Sequence, residues 1–193
     1  MPDTILWAAA GLVAYLLGSI PAGVILARVL SRPDVRYAGS THTGGRNVMR
    51  VVGRRAGLAA TVVDAAKGIS AVAIARWIGA GDVGLVIAAT LAVAGHCWPL
   101  YTRFHGGMGL ATGCGILFWL APDALAALLI TWALLNYLLL HHPARAVGAT
   151  VILLPFIMLV LKKPPELLAT GLLVGLVVFI RYVPDFRRVY KQE

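Results

Sequence analysis

Charge is scarce in this sequence, acid scarcer still, and cysteine nearly absent. Only 13% of its 193 residues are charged and Asp and Glu total 8, whereas about a quarter of the residues of a soluble domain are charged. With 60% hydrophobic residues and a mean hydropathy of +0.84, the solvent for most of the chain is lipid. The two cysteines, Cys97 and Cys114, lie in apolar segments, where a thiol behaves as a small hydrophobe. A structural metal needs further Cys, His or carboxylate ligands at coordinated spacing. None is arranged so, and neither a metal nor a cofactor is expected. None of the five His is followed by Asp at the fifth position and no G-x-S-x-G elbow occurs, so a His-x4-Asp box and a Ser–His apparatus both lack support. The formal net charge is +9, yet the basic residues border apolar spans and form no nucleic-acid module; anionic lipid headgroups are the expected partners.

What is abundant is long apolar sequence. The run Thr4 to Ala27 has 24 residues without an ionisable group, enough to cross a hydrocarbon layer of ~30 Å at about 1.5 Å per residue. It follows Asp3 rather than a basic segment and no small-residue cleavage site leads into a polar protein, so it reads as a retained helix. Further runs are Leu58–Ala75, Val83–Thr102, Phe104–Pro122, Ala124–Leu140, Ala146–Leu161 and Leu167–Ile180. Breaks of Pro, Gly or charge separate them. The predicted fold is an all-α integral membrane protein of about seven short transmembrane helices, a single domain over residues 1–193. The Gly-rich start of Gly106–Leu120 shortens that member to a possible half-span. If the runs alternate in direction, thirteen basic residues (among them Arg46, Arg50, Arg103, Arg145, Arg181, Arg188 and Lys191) share one face. Arg76, Lys162 and Lys163 take the other, and Lys67 stays inside a span. The positive-inside rule then puts the N-terminus outside and the C-terminus in the cytoplasm.

Four segments could carry chemistry. Arg36 to Arg55, RYAGSTHTGGRNVMRVVGRR, combines glycines that let N–H groups approach an anion, hydroxyl and amide donors, and Arg matched to phosphate; a merely basic inner loop has the same composition. Gly95 to Thr112, GHCWPLYTRFHGGMGLAT, sets His96, Arg103 and His105 before a Gly-rich turn that opens a helix, an anion-binding arrangement and also a common connector. Asp64 and Lys67, spaced i, i+3 in an apolar helix, are either a self-satisfying pair or a pair that also orients the Arg-rich loop. The tail RYVPDFRR, from Arg181 to Arg188, is either a fourth element or a basic stop.

Taken together these segments resemble the bacterial acyl-phosphate:glycerol-3-phosphate acyltransferases of the PlsY family. The family's Y-L-L-G-S-I-P opening is matched by Tyr15 to Pro21, its G-S-G-N-x-G-A-x-N-V-x-R motif aligns with Gly39 to Arg50, and L-D-x-x-K-G aligns with Val63 to Gly68. Its G-H-x-x-P and F-K-G-G-K-G-V-A-T motif aligns with Gly95 to Thr112, and H-R-x-N-I-x-R-L with Tyr182 to Val189. The resemblance implies seven helices in a bacterial inner membrane with the motifs on the cytoplasmic side. It also implies transfer of a fatty acyl group from acyl phosphate to glycerol 3-phosphate, giving lysophosphatidic acid. It assigns Ser40, Arg50 and His96 to catalysis. Gly39, Gly44, Arg46, Asn47, Lys67, His105, Gly106, Gly107, Gly109 and Thr112 are assigned to the substrates, and Asp64 to support. This chain departs from the motifs: His42 stands for Asn, His105 and Met108 for two Lys, and Tyr182 and Asp185 for His and Asn. Arg46, where the family has a small residue, is expected to compensate for Met108. A related transferase with another acceptor, a non-catalytic lipid-phosphate or partner binder, and a transporter using Asp64 and Lys67 are the alternative readings; the lack of inverted repeats weighs against the last.

Overall fold

The computed structural model describes residues 2–187, which form helices joined by turns and irregular loops, with no strand among the described residues. Arg188, Lys191 and the end of the last motif at Val189 lie outside the described residues. Helix α1 (Asp3–Gly18) leads through a break to α2 (Ala22–Val29), and a polar loop carries the short α3 (Gly45–Val51). Helices α4 (Arg54–Trp77) and α5 (Gly81–Cys97) form a hairpin. A Gly-rich turn then enters α6 (Leu110–Leu120) and α7 (Pro122–Leu134), which continues as a π-helical segment, Leu135–Leu140. Helices α8 (Pro143–Val160) and α9 (Pro165–Tyr182) precede a 3-10 turn, Val183–Arg187. Proline at the first position opens α7, α8 and α9, where its missing N–H is no loss and its φ is already helical.

Among the described residues six segments are long and apolar enough to span a membrane, and α6 is an additional apolar helix of 11 residues. At about 1.5 Å per residue it reaches roughly half of a ~30 Å core, as its Gly-rich start predicts. Large apolar side chains such as Leu12, Val62, Phe118, Ile130, Phe156 and Leu172 cover the outside, a surface that only lipid solvates well. The first run differs from the single helix expected. It breaks at Ser19–Pro21, where Pro21 supplies no N–H; the Ala22 N–H turns to the Ile20 carbonyl, and Lys67 Nζ donates to the carbonyls of both Gly18 and Ile20.

With lipid on the outside, no hydrophobic force drives helix to helix, and small residues let the backbones meet. A Cβ on Gly68 of α4 would strike the Thr112 carbonyl of α6, and one on Gly115 of α6 would strike the Ala65 carbonyl of α4. Gly115→Val is therefore expected to destabilise the bundle by about 1–3 kcal/mol. Thermal unfolding in detergent reads this, and an unchanged transition would contradict the packing described.

Chain reversals set the two ends of the bundle. The first loop, the turn after α5, the turn between the π-helical segment and α8, and the end of α9 meet at one end. At the other, Lys163 bridges to Asp123 at 2.7 Å, tying the α8–α9 turn to the start of α7.

Candidate active site

The first loop is organised around one buried amide. Asn47, on α3, donates from Nδ2 to the carbonyls of Val35, Ala38 and His42 at 3.0, 3.0 and 2.8 Å, and its Oδ1 accepts from the Ser40 N–H at 2.8 Å. The loop therefore closes on itself and presents Ser40, Arg46 and Arg50 on one side. Asp34 and Arg36 pair at its entrance, 2.6 Å apart. The hydrogen bond from Arg36 holds the Asp34 carboxyl below its ordinary range, so the contribution of the pair is present at neutral pH and lost only as pH falls through that lowered value.

The second loop is fixed from beneath and from the side. Gly107 N–H donates to the His96 carbonyl at 3.0 Å, and a Cβ on Gly107 would overlap the His96 imidazole. Arg181 of α9 donates from Nε to the Gly107 carbonyl at 2.9 Å and from Nη2 to the Gly106 carbonyl at 3.1 Å. Gly109 then takes φ +83 and opens α6. The C-terminal turn joins the first loop: His42 Nε2 lies 2.9 Å from Asp185 Oδ2, at two of the positions where this chain departs from the motifs.

Beneath these loops lies a buried polar cluster. Asp64, 2% exposed, meets Lys67 Nζ at 2.8 Å and His96 Nδ1 at 3.4 Å through Oδ1. Lys67 Nζ also donates to the carbonyls of Ile20 and Gly18 at 2.7 and 3.1 Å. An ammonium has three protons, and here all three are directed at protein oxygens.

A cavity of about 650 Å³ opens where the loops meet. Ser40, Gly44, Arg46, Asn47, Arg50, Asp64, His96 and Gly109 of the expected site residues form its wall, joined by Met108, Tyr182 and Asp185. Gly39, Lys67, His105, Gly106, Gly107 and Thr112 do not. Lys67 faces the α1–α2 break. Gly39 sits against Asn47, Gly106 and Gly107 are held from outside by Arg181, His105 is exposed against the Arg103 carbonyl at 2.9 Å, and Thr112 is buried in α6. Sequence reasoning missed Arg181 as a latch, and also the aromatic and amide residues Trp132, Asn136 and Tyr137, which line the cavity with the apolar Pro143, Ala144 and Val147. Their one signal was an amide inside the otherwise amide-free run Ala124–Leu140.

Electrostatically the cavity is unbalanced. Arg36 is spent on Asp34, Arg181 on carbonyls and Lys67 on the buried cluster, while Arg46 and Arg50 line the cavity without a hydrogen bond or ion pair among the described residues. Two free guanidiniums beside a hydroxyl and Gly-rich backbone, at the head of an apolar arm, fit anionic headgroups with an aliphatic tail. Residues 8–192 match the glycerol-3-phosphate acyltransferase family model. The chain belongs to the glycerol-3-phosphate acyltransferase family. Relatives in the family include the glycerol-3-phosphate acyltransferases of Syntrophotalea carbinolica, 35% identical over 92% of this chain and 91% of that one, and of Vibrio vulnificus, 36% identical over 94% and 88%. Crystal structures of PlsY (YgiH), an integral membrane glycerol 3-phosphate acyltransferase, share the fold. Its glycerol 3-phosphate form superposes with a TM-score of 0.83 at 27% identity, covering 94% of this chain and 90% of that one. Its lysophosphatidic acid form gives 0.81 at 25% identity over the same shares. The family membership and the spans make this chain a multi-pass membrane acyltransferase.

Proposed function

We propose that this chain transfers a fatty acyl group from an acyl phosphate to glycerol 3-phosphate at the cytoplasmic face of a bacterial inner membrane. The observation that carries the reading is the pair of guanidiniums, Arg46 and Arg50, that make no hydrogen bond or ion pair among the described residues and share one cavity with apolar walls such as Leu110, Ala144 and Val147. A site for two phosphorylated molecules needs two cations, and a donor with a fatty chain needs those walls.

In this reading Arg50 and Ser40 hold one phosphate, and Arg46 with the backbone of Met108 and Gly109, the part of the second loop that lines the cavity, faces the other. An acyl phosphate is already activated. The acceptor hydroxyl attacks the acyl carbonyl carbon, the bond from that carbon to the phosphate oxygen breaks, and the departing phosphate takes the hydroxyl proton. The protein's task is then to position the two molecules and exclude water, which explains a site rich in Arg, Gly, Ser and Asn. Asp64, Lys67 and His96 keep the floor rigid. Purified protein in lipid is expected to release phosphate from palmitoyl phosphate only when glycerol 3-phosphate is present. Release without acceptor, or none with it, would overturn the reading.

Arg46 replaces the charge that the family carries at the position of Met108. Arg46→Ala is expected to lower kcat/KM about tenfold or more, the scale of one charged hydrogen bond, and Met108→Lys added to it is expected to recover most of the loss. Failure of the second change to recover activity would remove the compensation. The orientation rests on the basic residues gathered at the cavity end. A cysteine placed at Lys162 should react with an impermeant maleimide in intact cells and one at Arg54 should not; the reverse pattern would invert the topology.

A further inference from the structure

The two loops that form the cavity are tied directly by the Thr43 N–H and the Gly106 carbonyl at 3.4 Å, a separation long for a hydrogen bond and poorly suited to fix one backbone against another. Both loops are also held by one short stretch at the end of α9. Arg181, in the last turn, donates to the Gly107 and Gly106 carbonyls of the second loop. Asp185, four residues on in the turn Val183–Arg187, meets His42 of the first loop at 2.9 Å. Asp185 is 1% exposed, so this link is made away from bulk water, where a hydrogen bond to a carboxylate is at its strongest. Between the two, Tyr182 lines the cavity. The stretch has an anchor of its own. Phe186 meets Phe179 edge-on, ring centroids 5.7 Å apart, and lies so close to α8 that a Cβ on Gly148 would strike its ring. Its position is therefore set by the bundle and not by the loops it holds.

The two holds do different things. The first loop keeps its shape without Asp185, because Asn47 closes it from within; Asp185 supplies its place. Arg181 supplies shape as well. The C=O and N–H of one trans peptide point in opposite directions, so holding the Gly107 carbonyl also fixes the Met108 N–H, in the part of the second loop that lines the cavity. Resting on the reading in which glycerol 3-phosphate sits on the first loop and the acyl phosphate spans Arg46 and the second loop, we propose that Arg181 and Asp185 are positioning residues for acyl transfer. The end of α9 is a clamp that keeps acceptor and donor at reacting distance. A displacement of ~1 Å between reacting groups costs up to about 10²-fold in rate, so the clamp acts on kcat, and on the binding only of the molecule that spans the loops.

The test measures kcat and both KM values, for palmitoyl phosphate and for glycerol 3-phosphate, on the purified protein in lipid. Asp185→Ala and His42→Ala are each expected to lower kcat about tenfold and raise the KM for palmitoyl phosphate, with the KM for glycerol 3-phosphate within about twofold of the wild type. The double variant is expected to be no slower than either single one, the signature of one shared link. Asp185→Asn, whose amide oxygen still accepts from His42, is expected to recover most of the rate. Arg181→Ala is expected to show the same split, with Arg181→Lys, which keeps a donor, in between. An unchanged kcat in Asp185→Ala and Arg181→Ala, or a loss that appears only in the unfolding temperature or in the KM for glycerol 3-phosphate, overturns the clamp and leaves acyl transfer standing. If the wild type turns over no donor, the reading of the site as an acyltransferase fails, and hydrogen exchange decides whether α9 ties the loops. The Thr43 amide is then expected to exchange about fivefold or more faster in Asp185→Ala, His42→Ala and Arg181→Ala than in the wild type, with the amides in the middle of α5 unchanged; equal Thr43 rates overturn the clamp.

Discussion

Arg50→Ala is expected to lower kcat/KM by two to three orders of magnitude while leaving the unfolding temperature of the protein unchanged. The side chain is exposed on α3, lines the cavity and makes no hydrogen bond or ion pair among the described residues, so its removal leaves no orphaned partner and opens no void in the core. A cation left unpaired beside a lipid phase is tolerated when its counter-charge arrives with a ligand. The loss expected is on the scale of removing one preorganised charge-stabilising donor from an active site, roughly 10²–10³. Arg50→Lys is expected to recover only part, because an ammonium keeps the charge and loses the bidentate fork. A rate close to the wild type in Arg50→Ala would take Arg50 out of the site.

Lys67→Met is expected to act through stability. Removing one partner of a buried ion pair costs about 3–5 kcal/mol, because the other is left charged and unpaired. Here the Gly18 carbonyl also loses its donor and the Ile20 carbonyl keeps only the Ala22 N–H, at the point where Pro21 prevents the helix from continuing. The variant should therefore accumulate poorly or unfold well below the wild type in detergent. Asp64→Asn removes the stranded charge, so the double variant Asp64→Asn with Lys67→Met is expected to be more stable than Lys67→Met alone, a coupling that a double-mutant cycle isolates. Were Lys67→Met fully stable but unable to bind glycerol 3-phosphate, the lysine would be a substrate ligand rather than a brace.

Lys67 also marks a boundary of what the sequence makes legible. Its i, i+3 spacing from Asp64 identifies a pair inside a span, but that spacing is the same whether the ammonium turns toward a cavity or toward a break in a neighbouring helix. The deciding fact, two carbonyls turned toward Lys67 by the break at Ser19–Pro21, belongs to a run that reads as one continuous apolar helix. The half-length of α6 was legible because four residues, Gly106, Gly107, Met108 and Gly109, cannot all continue a helix into the turn. The meeting of the two loops was legible in the lengths of the runs between them, since two crossings return the chain to its starting side. Less was legible about the walls. Trp132 and Asn136 carry no motif, and an isolated polar residue in an apolar run looks the same whether it faces a neighbouring helix or a cavity. Arg181 was legible only as one of the basic residues sharing a face and as the first residue of the C-terminal segment, because at a helix C-terminus a cation ordinarily meets its own helix's last carbonyls; its actual partners are 74 and 75 residues away.

All of this depends on one cavity receiving both phosphates at the end of the bundle where Arg46 and Arg50 emerge. Determining the structure with glycerol 3-phosphate bound tests that most directly. The phosphate is expected against the Arg50 guanidinium and the Ser40 hydroxyl, with the glycerol hydroxyls turned toward the apolar arm. A phosphate bound outside the cavity, or density indifferent to the presence of Arg50, would contradict it.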